Sequence, residues 1–290
     1  MSAVGENVKA GRLSIQSLRI RLALLLAGLL IFIGIWEAAA LVIQNPIILS
    51  DPASLIKALV ALLQNNIPLG ASGVGDIYNA TLSTLEMIVA GFALSLIGIP
   101  IGFAMGLWEA AESIIDPWIN ALYAIPMVAL IPLVYFASGS LIPAWLFQAN
   151  GGFLPDILIV FLMTVFTVII NTYHGVRYVS NTLAEVGKSF GATESQFIRH
   201  VILPASLPDI VAGMRLGLGR AVLGAVIAQA LLSVNSLGYM MITFQEILYT
   251  PGMMAVVLII ALIGIVVLQS PKLIERRAFK WKKGERLARG

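Results

Sequence analysis

Residues able to do chemistry are few in this 290-residue chain, and their neighbours are mostly apolar. Arg215, Arg220 and Gln229 fall in or beside an apolar stretch that ends near Leu232. An arginine at the centre of an isolated membrane span costs about 2.5–3.5 kcal/mol, so Arg220 needs a partner or water. Two readings of it stand: a snorkelling or ion-paired structural residue near one end of a span, or an anion-attracting wall on a transport path. Gln229, deeper in the same stretch, is a lesser candidate for that path. Catalytic constellations are absent from the sequence: no Ser/His/Asp arrangement, GxSxG elbow, HExxH site or GxGxxG fingerprint occurs. There is no cysteine, and two histidines, His174 and His200, cannot supply a His-based metal motif. Gly187-Lys188-Ser189 matches the end of a phosphate-binding loop, but the first glycine of that loop would be residue 182, a threonine. The chain is therefore expected to bind no ATP, metal or other cofactor and to catalyse nothing itself.

A polar stretch, Glu185 to Pro204, carries the strongest local signals. Thr182-x-x-Glu185 and Thr193-x-x-Gln196 are both capping boxes, and Gly191 between them can take the left-handed conformation that ends a helix. The pattern predicts two short helices with an elbow at 182–204. The second is expected to stop before Pro204, because the residue preceding proline is pushed out of the α region. Capping alone allows a plain connecting loop or a docking surface for a partner.

The elements that must position these residues follow from composition. The chain is 59% hydrophobic and 11% charged, against about 25% charged in a soluble domain. That much apolar surface needs a bilayer as solvent. Leu22 to Ile43 is apolar apart from Glu37 and extends about 33 Å as a helix, enough to cross a hydrocarbon core. It is read as an uncleaved span, because it is too long for a signal-peptide core. Further spans are expected at about Thr84–Leu107, Trp118–Ser138, Ile157–Thr172, from after Pro208 to Leu232, and Met253–Leu268. Gly98, Gly102 and Gly106 in the second span share one face and permit close helix approach, as do Gly213, Gly217, Ala221 and Ala225 in the fifth. Pro126 and Pro132 bend the third span, either as a packing kink or to line a cavity. Ser54 to Leu63 suits a short amphipathic helix, and Ser233, Asn235, Ser236 and Gly238 a polar stop at the outer surface.

Six spans put both ends on one side. With the N-terminus inside, the outer segments hold Lys57 as their one Lys or Arg, while residues 1–21, 173–208 and 269–290 hold all the rest except Arg215 and Arg220. The expected organisation is a cytoplasmic segment at 1–21, a six-helix membrane domain at 22–270 and a basic cytoplasmic tail at 271–290. The elbow then lies in the cytoplasm.

The elbow also resembles a family signature. Membrane subunits of binding-protein-dependent ABC importers carry EAA-x3-G-x9-I-x-LP. Here Glu185-Val186-Gly187 is followed after three residues by Gly191 and after nine more by Val201-Ile202-Leu203-Pro204. Both alanines and the isoleucine are replaced; the spacing, glutamate, glycine and Leu-Pro are kept. YAIPMVALIPLVYFASG (Tyr123–Gly139), LPASLPDIVAGMRLGLGRA (Leu203–Ala221) and SLGYMM (Ser236–Met241) resemble the nitrate/sulfonate/taurine/bicarbonate branch, over about residues 20–275. That branch often has a glutamate near Gln229.

The resemblance implies an all-α, type I importer permease fold in the plasma membrane. It implies pairing of two permease chains, usually as a homodimer. Two cytoplasmic ATPase subunits bind ATP and Mg, and an extracytoplasmic binding protein delivers the solute. No nucleic acid is implied. The elbow would dock on an ATPase, with Glu185, Phe190, Gly191, Ala192, Phe197, Ile198, Leu203 and Pro204 as coupling residues. Pro126, Pro132, Arg220 and Gln229 are the candidates for the path. The solute is expected to be a small anion such as nitrate, sulfonate, taurine or bicarbonate, with a vitamin precursor as the alternative. A stand-alone secondary transporter would want paired intramembrane carboxylates across inverted repeats; Glu37 and Glu86 are the candidates present, and no repeat is evident.

Overall fold

The computed structural model describes residues 2–66, 76–141, 154–179, 189, 191–232 and 235–278. Every regular element among them is helical. In chain order they are α1 (Ser2–Ile43), α2 (Pro52–Leu63), α3 (Ile77–Ser95), α4 (Gly98–Leu107), α5 (Glu109–Ala124), α6 (Met127–Leu141), α7 (Leu154–Arg177) and α8 (Glu194–Phe197). A π-helical turn (Ile198–Ile202) leads into α9 (Leu203–Leu232), followed by α10 (Leu237–Glu246) and α11 (Thr250–Ala278). Five segments are long and apolar enough to cross a membrane: Leu22–Ile43, Ile77–Leu107, Leu154–Arg177, Glu194–Leu231 and Thr250–Pro271. The bent pair α5 and α6 makes a sixth.

The bundle is built around α7. Its apolar residues run all round the helix rather than along one stripe, which is the pattern of a helix enclosed by others. Val165, Phe166 and Ile169 pack with Met105 of α4 and Ile119 of α5. Val160 packs with Ile88 of α3 and with Ala221, Val222 and Ala225 of α9. Ile159 meets Ile131 of α6 and Ala228 of α9. A separate cluster at the other side joins α2, α3, α10 and α11 through Leu62, Ile77, Leu237, Phe244 and Val256. By contrast, the apolar part of α1 is unburied; Trp36 ties it down by donating Nε1–H to the Ser50 carbonyl at 2.9 Å.

Both small-residue faces are contact faces with α7. A Cβ on Gly102 would lie 2.3 Å from the Ile169 carbonyl oxygen, and one on Gly106 2.5 Å from Val176 Cβ. On α9, Gly213 abuts Asn171, and Ala221 and Ala225 are fully buried. The short helix expected near residue 54 is α2, capped by Asp51, whose carboxylate accepts from Ser54 N–H at 3.0 Å.

Four expectations need correction, and proline chemistry accounts for three. The second span begins at Ile77 and is interrupted near Leu96 and Ile97. Pro100 has no N–H to give the Leu96 carbonyl, which accepts from Ile99 N–H at 2.9 Å instead. The third span is not one helix. Ile125, preceding Pro126, is extended (φ −73, ψ 130), and α5 and α6 meet at 101°. The helix after Thr193 does not stop before Pro204. It passes through the π turn into α9, which starts before Pro208 and not after it. In a regular helix the Pro204 ring would strike the His200 carbonyl; the wide turn lies over those residues, and Leu203 N–H bonds the Ile198 carbonyl five residues back. The fourth correction concerns the polar stop expected at residues 233–238. Asn235 is exposed in the turn after α9, but Ser236 and Gly238 are buried, Ser236 caps α10, and Leu237, Met240 and Phe244 are core, while Ser233 lies outside the described residues.

Candidate functional site

The elbow is described at Ser189 and continuously from Gly191, whose φ of +67 is the left-handed conformation its type allows. Thr193 then forms a complete capping box. Its Oγ1 accepts from Gln196 N–H at 3.4 Å, and Gln196 Oε1 accepts from Thr193 N–H at 2.9 Å. Glu194, Ser195, Gln196, Arg199 and His200 are exposed, while Ala192, Phe197 and Ile198 are half-buried. Leu203 is exposed and Pro204 half-buried at the start of α9. The elbow thus offers a polar outer face and turns its aromatic partly inward. Glu185 and Phe190, with the first capping box, lie outside the described residues.

Just before the elbow, the end of α7 is tied to the start of α5. Tyr173 Oη donates to Glu112 Oε1 at 2.6 Å, and Arg177 Nη2 lies 3.5 Å from Glu112 Oε2 and 3.9 Å from Glu109 Oε1. His174 stacks on Tyr178 with ring centroids 5.6 Å apart. These carboxylates are in the acidic turn between the second and third spans. Sequence reading gave them no role, because the partner is more than sixty residues away.

Deeper in the bundle, Arg220 of α9 reaches Tyr123 in the last turn of α5. Its Nη2 donates to Tyr123 Oη at 2.6 Å, and its guanidinium carbon lies 5.1 Å from the ring centroid. No carboxylate among the described residues pairs with it. Two cavities share this pair. One, of about 580 Å3, is walled by α5, α7, α9 and α11, with Thr167, Asn171, Leu216, Gly219 and Gly264 in its lining. The other, of about 340 Å3, lies against the α5–α6 bend, at Ile125, Met127, Val128 and Phe166. Pro126 sits at that bend between Ile125 and Met127, whereas Pro132 is exposed within α6 and lines neither cavity.

Gln229 is placed elsewhere. It is fully buried, and its Oε1 accepts from Thr84 Oγ1 at 3.0 Å and from Gly238 N–H at 3.4 Å. Its Nε2 points to Met87 Sδ at 2.8 Å, and it lines neither cavity. Its amide fastens α9 to α3 and to the start of α10.

Comparison with known proteins bears on this arrangement. Residues 98–280 match the family described as binding-protein-dependent transport system inner membrane component. The chain belongs to this family. It is 33% identical over 251 residues to a protein of Methanocaldococcus jannaschii named as an ABC transporter permease, covering 86% of this chain and 88% of the other. It is 29% identical to the taurine transport system permease protein TauC of Escherichia coli, over 85% of this chain and 84% of that one. It is 31% identical to a Bacillus subtilis permease named for aliphatic sulfonates transport, SsuC, over 87% and 85%. Among solved structures, an inward-facing form of the MetNI methionine ABC transporter matches with a TM-score of 0.57 at 17% identity, covering 70% of this chain and 96% of that one. That likeness shows the fold. This ABC permease is accordingly a non-catalytic, multi-pass inner-membrane component, and membership implies an ATPase and a binding protein as partners.

Proposed function

We propose that this permease forms, with a second copy of itself, the translocation path of an importer for a small anion such as nitrate, sulfonate, taurine or bicarbonate. Both termini lie in the cytoplasm, in keeping with the basic segments at 1–21 and 271–290. Two cytoplasmic ATPase subunits bind ATP and Mg, and the elbow at 182–204 carries their closure to the membrane domain. A binding protein on the other side delivers the solute.

One observation supports the anion reading above others: Arg220 faces a cavity with a phenol beside it and, among the described residues, no carboxylate. Its charge is left for something else to balance. The coupling reading draws on Gly191 and the Thr193 box, which give a short, firmly capped polar surface at the predicted docking position. Within it, Glu185 would cap the preceding helix or pair with a basic group on the ATPase. Phe190, Ala192, Phe197, Ile198, Leu203 and Pro204 would supply the apolar contacts.

The test is co-purification of the permease with its ATPase subunits, followed by transport and ATPase assays in vesicles containing the binding protein. Gly191→Pro and Glu185→Ala should leave the chain inserted and uncouple ATP hydrolysis from the binding protein. Survival of transport and docking in Gly191→Pro would sink the assignment of the elbow.

A further inference from the structure

We propose that α5 is the lever through which the elbow works on the membrane domain, with Glu112 and Tyr123 as positioning residues at its two ends. The inference rests on the coupling role proposed above for the elbow and names the element that role acts upon.

The elbow lies in the chain between α7, which precedes it, and α9, into which its last helix runs. Each of these two helices holds α5, and they hold it at opposite ends. At the start of α5, Glu112 meets Tyr173 and Arg177, which are four residues apart and share a face of α7. Tyr173 Oη donates to Glu112 Oε1 at 2.6 Å, and Arg177 Nη2 lies 3.5 Å from Oε2. Both oxygens are engaged, which fixes the carboxylate in one orientation, and hydrogen bonds to an ionised acceptor are the strong kind. At the end of α5, Tyr123 Oη accepts from Arg220 Nη2 of α9 at 2.6 Å, and the guanidinium also lies against the ring. Eleven residues separate Glu112 from Tyr123, about 16 Å of helix.

Between those two ties α5 is lightly held. Ile119 is its one buried residue, packed with Val165, Phe166 and Ile169 of α7. Elements with few buried apolar contacts are the ones that move in coupled transitions. Beyond Tyr123 the helix ends at the extended Ile125 and meets α6 at 101°, so a tilt of α5 is not carried rigidly into α6. A displacement of the end of α7 relative to α9 pulls one end of α5 and not the other, which tilts it about Ile119. Staples that only stabilised the fold would leave coupling untouched.

The test measures ATP hydrolysis by the complex of permease and ATPase subunits in lipid nanodiscs, with and without the binding protein. Glu112→Gln, Tyr173→Phe and Tyr123→Phe should each lower the ratio of stimulated to basal hydrolysis by about fivefold or more, the low end of coupling between sites. Combining Glu112→Gln with Tyr123→Phe should do no more than either alone, since one lever is already released. Glu112→Lys should lose stimulation, and adding Arg177→Glu should restore it by remaking the pair with its charges exchanged. Glu109→Gln, at a carboxylate that is 86% exposed, should keep the wild-type ratio. Full stimulation in Glu112→Gln or in Tyr123→Phe, additive losses in the double variant, or as large a loss in Glu109→Gln would each overturn the lever alone. A lower midpoint of thermal unfolding with an unchanged ratio would mark the ties as staples and overturn it likewise. A wild type that the binding protein does not stimulate would overturn the coupling reading, and the lever with it.

Discussion

Gln229, buried in the last turn of α9, uses both ends of its amide, on a hydroxyl, a backbone N–H and a thioether. Gln229→Leu should therefore destabilise the protein by about 1–3 kcal/mol, read as a lower midpoint in thermal unfolding in detergent. The cluster at the end of α7 predicts a graded pair. Glu109 is 86% exposed at 3.9 Å from Arg177, so Glu109→Gln should change stability by less than about 0.5 kcal/mol. Glu112 is 26% exposed and also accepts from Tyr173, so Glu112→Gln should cost more, about 1 kcal/mol in the same assay. Equal effects of the two would show that Tyr173 adds nothing. At this scale legibility followed distance along the chain. The φ of Gly191 and the Thr193 box could be read because each is settled within four residues. The Arg220–Tyr123 contact spans 97 positions, and sequence reading could say that Arg220 needed a partner without saying which.

Helix α4 lies on α7 so closely that its glycines leave no room for a side chain. Gly102→Val should cost about 1–3 kcal/mol or prevent folding, because Ile169 backbone stands where the Cβ would go. Gly28→Val and Gly34→Val on α1, with nothing within 4 Å, should pass protease-resistance tests unchanged. The α5–α6 bend makes a different prediction. With Pro126→Ala, Ile125 is free to become helical. The chain has no cysteine of its own, so spin labels at Trp118→Cys and Tyr135→Cys report that angle alone. Their distance distribution should broaden and lengthen relative to the 101° form. An unchanged distribution would assign the bend to packing and not to proline. The ridges of small residues were legible because periodicity fixes which residues share a face. The ends of the elements were not. Whether a proline ends a helix, bends it or is absorbed by a wide turn depends on packing around it, and Pro126, Pro100 and Pro204 did three different things.

Across the whole molecule, hydropathy located the spans, and the helix enclosed on every side, α7, takes part in three of the four core clusters. The buried hairpin-like return of α10 was not legible, since ten residues are too few to register as a span. Charge distribution predicts that a cysteine at Lys57 reacts with a membrane-impermeant reagent in intact cells. One at Lys283 should react only after the membrane is opened; the reverse pattern would invert the topology. One local irregularity also has a consequence at this scale. The π turn at Ile198–Ile202 is the joint between the elbow and α9, the helix that bears Arg220. It holds one residue more than a regular turn would. Taking up that residue would rotate the helix beyond it by about 100° and advance it by about 1.5 Å, as α-helical geometry requires. Under the coupling role proposed for the elbow, a push there would turn Arg220 against Tyr123, with the slack of a single residue setting the ratio.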